Sequence, residues 1–195
     1  MLIRCVTIAL TALLFGFPLA AEETAHRQLG AHTHGTGSLN IAIEGGKVEI
    51  EFEAPGADIA GFEHAAGTSG QKAAVEKAKT TLSEALALFK LPGDAGCKVD
   101  KADVEVRNEE HHHGDESTDA GAKTDDGGDH DGHSEFHALY AFSCAKPAAI
   151  TSLETTYFKA FAGAKVLNVN VVTSKGQSQM QLTREQPVLA LTGLM

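Results

Sequence analysis

Positive charge is scarce in this chain. Sixteen Lys and Arg stand against 26 Asp and Glu, for a net charge of −10 with histidine neutral. Such a balance argues against nucleic acid, whose phosphates need Lys and Arg, and against anionic membrane surfaces. It suits cations. Long apolar runs are also lacking. The one apolar stretch, "CVTIALTALLFGFPLA", lies at the N-terminus behind Arg4 and ends in Ala20 and Ala21, then Glu22 and Glu23. That is the pattern of a secretory leader, and the run is short for a membrane span. The expectation is a leader over 1–21 and an exported mature chain of 22–195 with no membrane span. Cysteine is sparse as well. Cys5 leaves with the leader, so only Cys97 and Cys144 remain. In an exported chain such a pair reads as a disulfide; the rival reading is two thiolate zinc ligands. Catalytic signatures are missing too. There is no HExxH, GxSxG, P-loop or GxGxxG pattern, and the expectation is that the protein is not an enzyme.

The sequence does contain ten histidines, unevenly placed. "EEHHHGDESTDAGAKTDDGGDHDGHSEFH", from Glu109 to His137, carries His111, His112, His113, His130 and His133 among aspartates and glycines, with no large apolar side chain before Phe136. A segment with so little to bury cannot offset its ordering entropy by packing. It reads as a disordered, low-complexity insert over 109–133 that binds metal ions.

Around the insert the chain has globular patterning. "LNIAIEGGKVEIEFEA" alternates Leu39, Ile41 and Ile43, turns at Gly45-Gly46, and alternates again through Val48, Ile50 and Phe52, as a β-hairpin with one wet face. "TSGQKAAVEKAKTTLSEALALFKL" places Val75, Ala78, Leu82, Leu86 and Phe89 at helical spacing, with Thr68 or Ser69 as cap and Pro92-Gly93 as stop. "CKVDKADVEVRN" and "SEFHALYAFSC" read as strands. The second turns Phe136, Ala138, Tyr140, Phe142 and Cys144 to one face, and Glu135, His137, Leu139 and Ala141 to the other. "ETTYFKAFAG" reads as a short helix, and "AKVLNVNVVTS" with "SQMQLTRE" as a second hairpin around Gly176. The order predicts a single α+β domain with antiparallel sheet packed by one long and one short helix.

Three histidine groups are candidate metal ligands. His32 and His34 are one residue apart in "AHTHG", so an extended backbone puts both imidazoles on one face. His64 follows Glu63 in "GFEH". The insert and its exit supply His111, His112, His113, His130, His133 and His137, and His133, Glu135 and His137 alternate. Imidazole with carboxylate suits zinc, which imposes no d-electron geometry; copper(II) binds such ligands more tightly, so affinity alone does not name the ion. Histidine pairs in loops and a lone His64 also have a plain structural reading, as hydrogen-bonded side chains. The expected arrangement is one structured site drawn from His32, His34 and His64, with His133 or His137 added, fed by a loose collecting loop. The alternatives are a zinc-dependent hydrolase of the exported chain, for which Glu63 is the only general base to name, and an envelope protein that buffers copper or nickel.

Taken in order, "AHTHGTGSLNIAI", "GFEHA", "AGCKV", the His-rich insert, "HSEFHALYAFSC" and "GQSQMQLT" resemble the ZrgA-like family of periplasmic zinc-binding proteins. The resemblance implies a protein that supports zinc uptake, alongside a zinc ABC importer and its periplasmic solute-binding protein. It also implies zinc binding at His32, His34, His64 and His133, with Glu135 as a ligand or as a partner behind one.

Overall fold

A computed structural model describes residues 33–108 and 133–195. The expected leader, His32 and the insert histidines His111, His112, His113 and His130 lie outside them. In chain order the elements are β1 (Thr36–Glu44), β2 (Lys47–Pro55), α1 (Gly56–Ile59), α2 (Ser69–Ser83), α3 (Ala85–Leu88), β3 (Phe89–Lys90), β4 (Cys97–Asn108), β5 (Ser134–Cys144), β6 (Ser152–Thr155), α4 (Tyr157–Ala160), β7 (Val166–Thr173), β8 (Gly176–Thr183) and β9 (Val188–Ala190). Six strands form one sheet in the order β4-β5-β2-β1-β7-β8, and β3-β6-β9 form a second. The fold is α+β, as expected.

Alternation fixes the large sheet. Leu39, Ile41, Ile43, Val48, Ile50 and Phe52 are all buried on one face of the first hairpin, and Phe136, Ala138, Tyr140 and Phe142 continue that face on β5. The helices and the small sheet pack against it. Phe52 meets Tyr157 edge-on at 5.1 Å, Phe89 meets Tyr140 at 5.4 Å, and the Tyr140 hydroxyl donates to the carbonyl of Leu82 on α2 at 2.9 Å. Cys97 and Cys144 are directly paired across β4 and β5 and form a disulfide. This excludes the thiolate reading, and the bond closes the strands at the end away from the insert.

Three expectations need correction. The sheet is mixed, because β1 runs parallel to β7 while the other strand pairs in it are antiparallel. The chain reaches β7 by way of β6 in the small sheet and α4, so the β1–β7 pairing is one that no local pattern records. The long helix does not run to Pro92. Thr68 caps it in a capping box with Gln71, but Glu84 leaves the helical region at φ −80, ψ 61, and Phe89 is already in a strand. Phe89 stays buried because the small sheet takes over the packing that a continued helix would have supplied. The short helix shrinks to the single turn of α4, since β6 claims Ser152–Thr155.

Candidate metal centre

The chain enters β1 through a turn at Thr33–Thr36, closed by a 3.0 Å bond from the Thr36 amide to the Thr33 carbonyl. Gly35 sits at φ 85, a conformation costly for a side-chain-bearing residue. Its amide donates to both carboxylate oxygens of buried Asp58, at 2.8 Å each. Its carbonyl accepts from the Lys165 and Val166 amides at 2.9 and 2.8 Å. Burial pushes the Asp58 carboxyl above the usual carboxylate range, and the Gly35 amide only partly opposes that.

The anchored turn presents His34, whose Nε2 lies 2.7 Å from Glu63 Oε1. The other Glu63 oxygen lies 2.8 Å from His133 Nδ1. The Glu63 carbonyl accepts the Ser134 amide at 2.7 Å, so the "GFEH" loop is tied to the root of β5. Gly56 makes the approach possible, because a Cβ there would stand 2.1 Å from Ser134 Oγ. Glu63 is thus a bridge between rings from two distant parts of the sequence. Burial alone would raise its carboxyl, but the bonds and charge of His133 and His34 outweigh burial and hold it low.

The other candidates are placed differently. His64 stacks on Phe62 with centroids 5.1 Å apart, and its nitrogens bond to the Ala65 carbonyl at 3.0 Å and the Gln71 amide at 3.2 Å. Gln71 belongs to the α2 capping box, so these bonds tie His64 to the start of that helix. Glu135 is buried, paired in register with Arg107 on one side and Pro55 on the other. His137 is on the outer face of the sheet, as alternation predicts, yet it is only 3 % exposed. There it meets two residues that the sequence had marked only as the wet face of a strand. The ligand atoms of Glu51, Glu53 and His137 all lie within 4.8 Å of one another, a group that can hold a metal ion. The register explains it: Glu53 pairs with His137 across β2 and β5, and Glu51 is two residues along β2.

Both clusters combine imidazole with carboxylate, the donors expected for zinc. The match to known proteins agrees. Residues 31–191 match the family model described as ZrgA family zinc uptake protein. The chain belongs to the ZrgA family. The match starts just before "HTHG" and runs through both clusters and the insert, so a zinc-related function applies to the whole folded unit. No curated protein matches the chain. Among the described residues, no helix is long and apolar enough to cross a membrane.

Proposed function

We propose that this ZrgA family member is a periplasmic zinc-binding protein that supports zinc uptake, with zinc as cargo held by His34, Glu63 and His133. The observation that carries the reading is the Glu63 carboxylate, which binds one imidazole with each oxygen. One divalent cation in place of the two ring–carboxylate hydrogen bonds, with each ring's proton moved to its other nitrogen, keeps the same three residues together and relieves the burial of the carboxylate charge. Three protein ligands leave a position open on a tetrahedral ion. An open position allows a further ligand, such as His32, two residues before His34 in the sequence, His64 once released from Gln71, or a histidine of an acceptor protein.

The insert adjoins this cluster, since His133 is its last residue. Its imidazoles and carboxylates collect ions weakly and pass them to the folded cluster. The acceptor is a zinc ABC importer or its solute-binding protein. The protein acts by binding, not by turnover. Glu63, the general base named for the hydrolase reading, has both oxygens engaged by the rings, and a base must be free to take a proton from water.

Equilibrium dialysis of chelator-stripped protein at pH 7 tests the reading. Uptake of at least one tightly held zinc supports it, and no uptake refutes it. Growth of a deletion strain separates roles: a defect under zinc starvation fits uptake, whereas a defect only under copper or nickel excess fits buffering of those metals.

A further inference from the structure

The outer face of the large sheet carries a row of polar residues in register across all six strands: Glu105, His137, Glu53, Ser38, Asn168 and Gln181. His137 is the one nearly fully buried member with a ring that can bind metal. Its Nε2 lies 3.1 Å from Glu51 Oε1 and 3.9 Å from Glu53 Oε1. Its Nδ1 lies 2.9 Å from Arg107 Nη2 and 3.3 Å from Glu105 Oε1. An arginine nitrogen only donates. Nδ1 is therefore the acceptor, and the ring proton sits on Nε2 and is donated to Glu51.

The two carboxylates are held from behind. Asn40 donates to Glu51 Oε2 at 3.4 Å, Ser38 to Glu53 Oε2 at 3.3 Å, and Asn170 to Asn40 at 2.8 Å. Each carboxylate therefore turns its other oxygen to His137. A cation at Nε2 needs the opposite tautomer, with the proton on Nδ1, and Glu105 Oε1 is in reach to accept it. That is the carboxylate–histidine–metal arrangement that fixes a ligating ring. Arg107 opposes it. Its guanidinium holds Nδ1 as an acceptor and lies 3.9 Å from Glu53. It is also bonded to Glu105, at 2.6 and 2.7 Å, so it keeps a partner when it releases the ring.

We propose that Glu51, Glu53 and His137 form a second divalent-cation site, separate from the His34–Glu63–His133 cluster, in which Arg107 is a built-in competing cation that lowers affinity. With two carboxylates and one imidazole, the donor set is harder than that of the first cluster and accepts zinc or manganese. A site whose resident positive charge returns when the metal leaves is suited to release. This inference does not rest on the first cluster's being the zinc site.

The test follows the His137 ring by two-bond proton–nitrogen correlation in the nitrogen-15-labelled full chain, as zinc is added stepwise. The expected result is inversion of the tautomer, from a proton on Nε2 to a proton on Nδ1 with Nε2 coordinated. The inversion should persist in His34→Ala/His133→Ala. Arg107→Gln, at a surface position, should shift its midpoint to about ten-fold less zinc, since a cation a few ångströms from the metal is removed. Glu105→Gln should shift it about ten-fold the other way. Opposite signs at neighbouring residues are not what a purely structural role produces. A His137 ring that keeps its Nε2 proton at saturating zinc overturns the site. An inversion whose midpoint ignores Arg107→Gln overturns the competitor.

Discussion

Asp58 is the residue on which the position of His34 depends, and replacing it separates two effects. The carboxylate receives the Gly35 amide on both oxygens in a buried setting. In Asp58→Ala the amide loses its partner, at a cost of about 1–3 kcal/mol for an orphaned buried donor. Removing the buried charge offsets part of that, because the carboxyl is raised by burial and its ionised form is penalised in the fold. The net expectation is a loss of about 1–2 kcal/mol, or a fall in Tm of roughly 2–8 °C for a domain of this size. Asp58→Asn keeps one acceptor oxygen and removes the charge, so it should unfold within about 0.5 kcal/mol of the parent. Zinc affinity should fall about 10- to 100-fold in Asp58→Ala, since the turn that aims His34 loses its side-chain anchor, and far less in Asp58→Asn. Urea unfolding followed by circular dichroism in chelator, then calorimetric zinc titration, reads both. Parental stability and parental affinity in Asp58→Ala would refute the reasoning.

Other outcomes follow from the same contacts. Breaking the Cys97–Cys144 bond, which spans a sequence separation of 47, should destabilise the fold by roughly 4 kcal/mol on the chain-entropy account, seen as a lower urea midpoint for Cys97→Ser/Cys144→Ser. Alkali should unfold the protein early. Burial lifts Tyr140 and Tyr157 above the ordinary phenol value of 10.0, with the Asp58 charge adding to Tyr157. The native chain then keeps protons that the unfolded chain loses. Stability is full below pH 10 and falls above it by up to about 1.4 kcal/mol per pH unit per tyrosine. Acid should release zinc as pH falls through about 6, because protons compete for imidazole. Glu63 is held low, so its contribution to stability is lost only at still lower pH, as pH drops through its folded value. Equilibrium dialysis at pH 7 and pH 5 checks the release, and equal affinity at both would contradict imidazole ligation.

The strands of the large sheet were legible because they alternate over eight or more residues, as in Leu39 to Phe52 and Phe136 to Cys144, but the parallel pairing of β1 with β7 was not. The small sheet was not, because β3 has two residues, β6 four and β9 three, too few for a period to show. The break at Glu84 was hidden inside a good helical pattern, since Leu86 and Phe89 keep the spacing while tertiary packing redirects the backbone. At the candidate metal centre, His34 and His133 stood out by residue type. Glu63 was visible only as a weak base, and its role as the bridge depends on the turn at Gly56 and the bond to Ser134. His64 carried the same motif signal as His34, and its ring is bonded to Ala65 and Gln71 rather than to Glu63. Glu51 and Glu53 looked like any wet strand face, because their partner His137 is 84 or more residues away and only the β2–β5 register brings it opposite them.

The most direct measurement is a calorimetric zinc titration of three proteins: the parent, one with residues 109–132 replaced by a short Gly/Ser linker, and His34→Ala/His133→Ala. The account predicts that the linker variant loses only weak sites and keeps its tightest one, whereas the double variant loses the tightest site and keeps the weak ones. A linker variant that binds no zinc, or a double variant that keeps the tightest site, would contradict it.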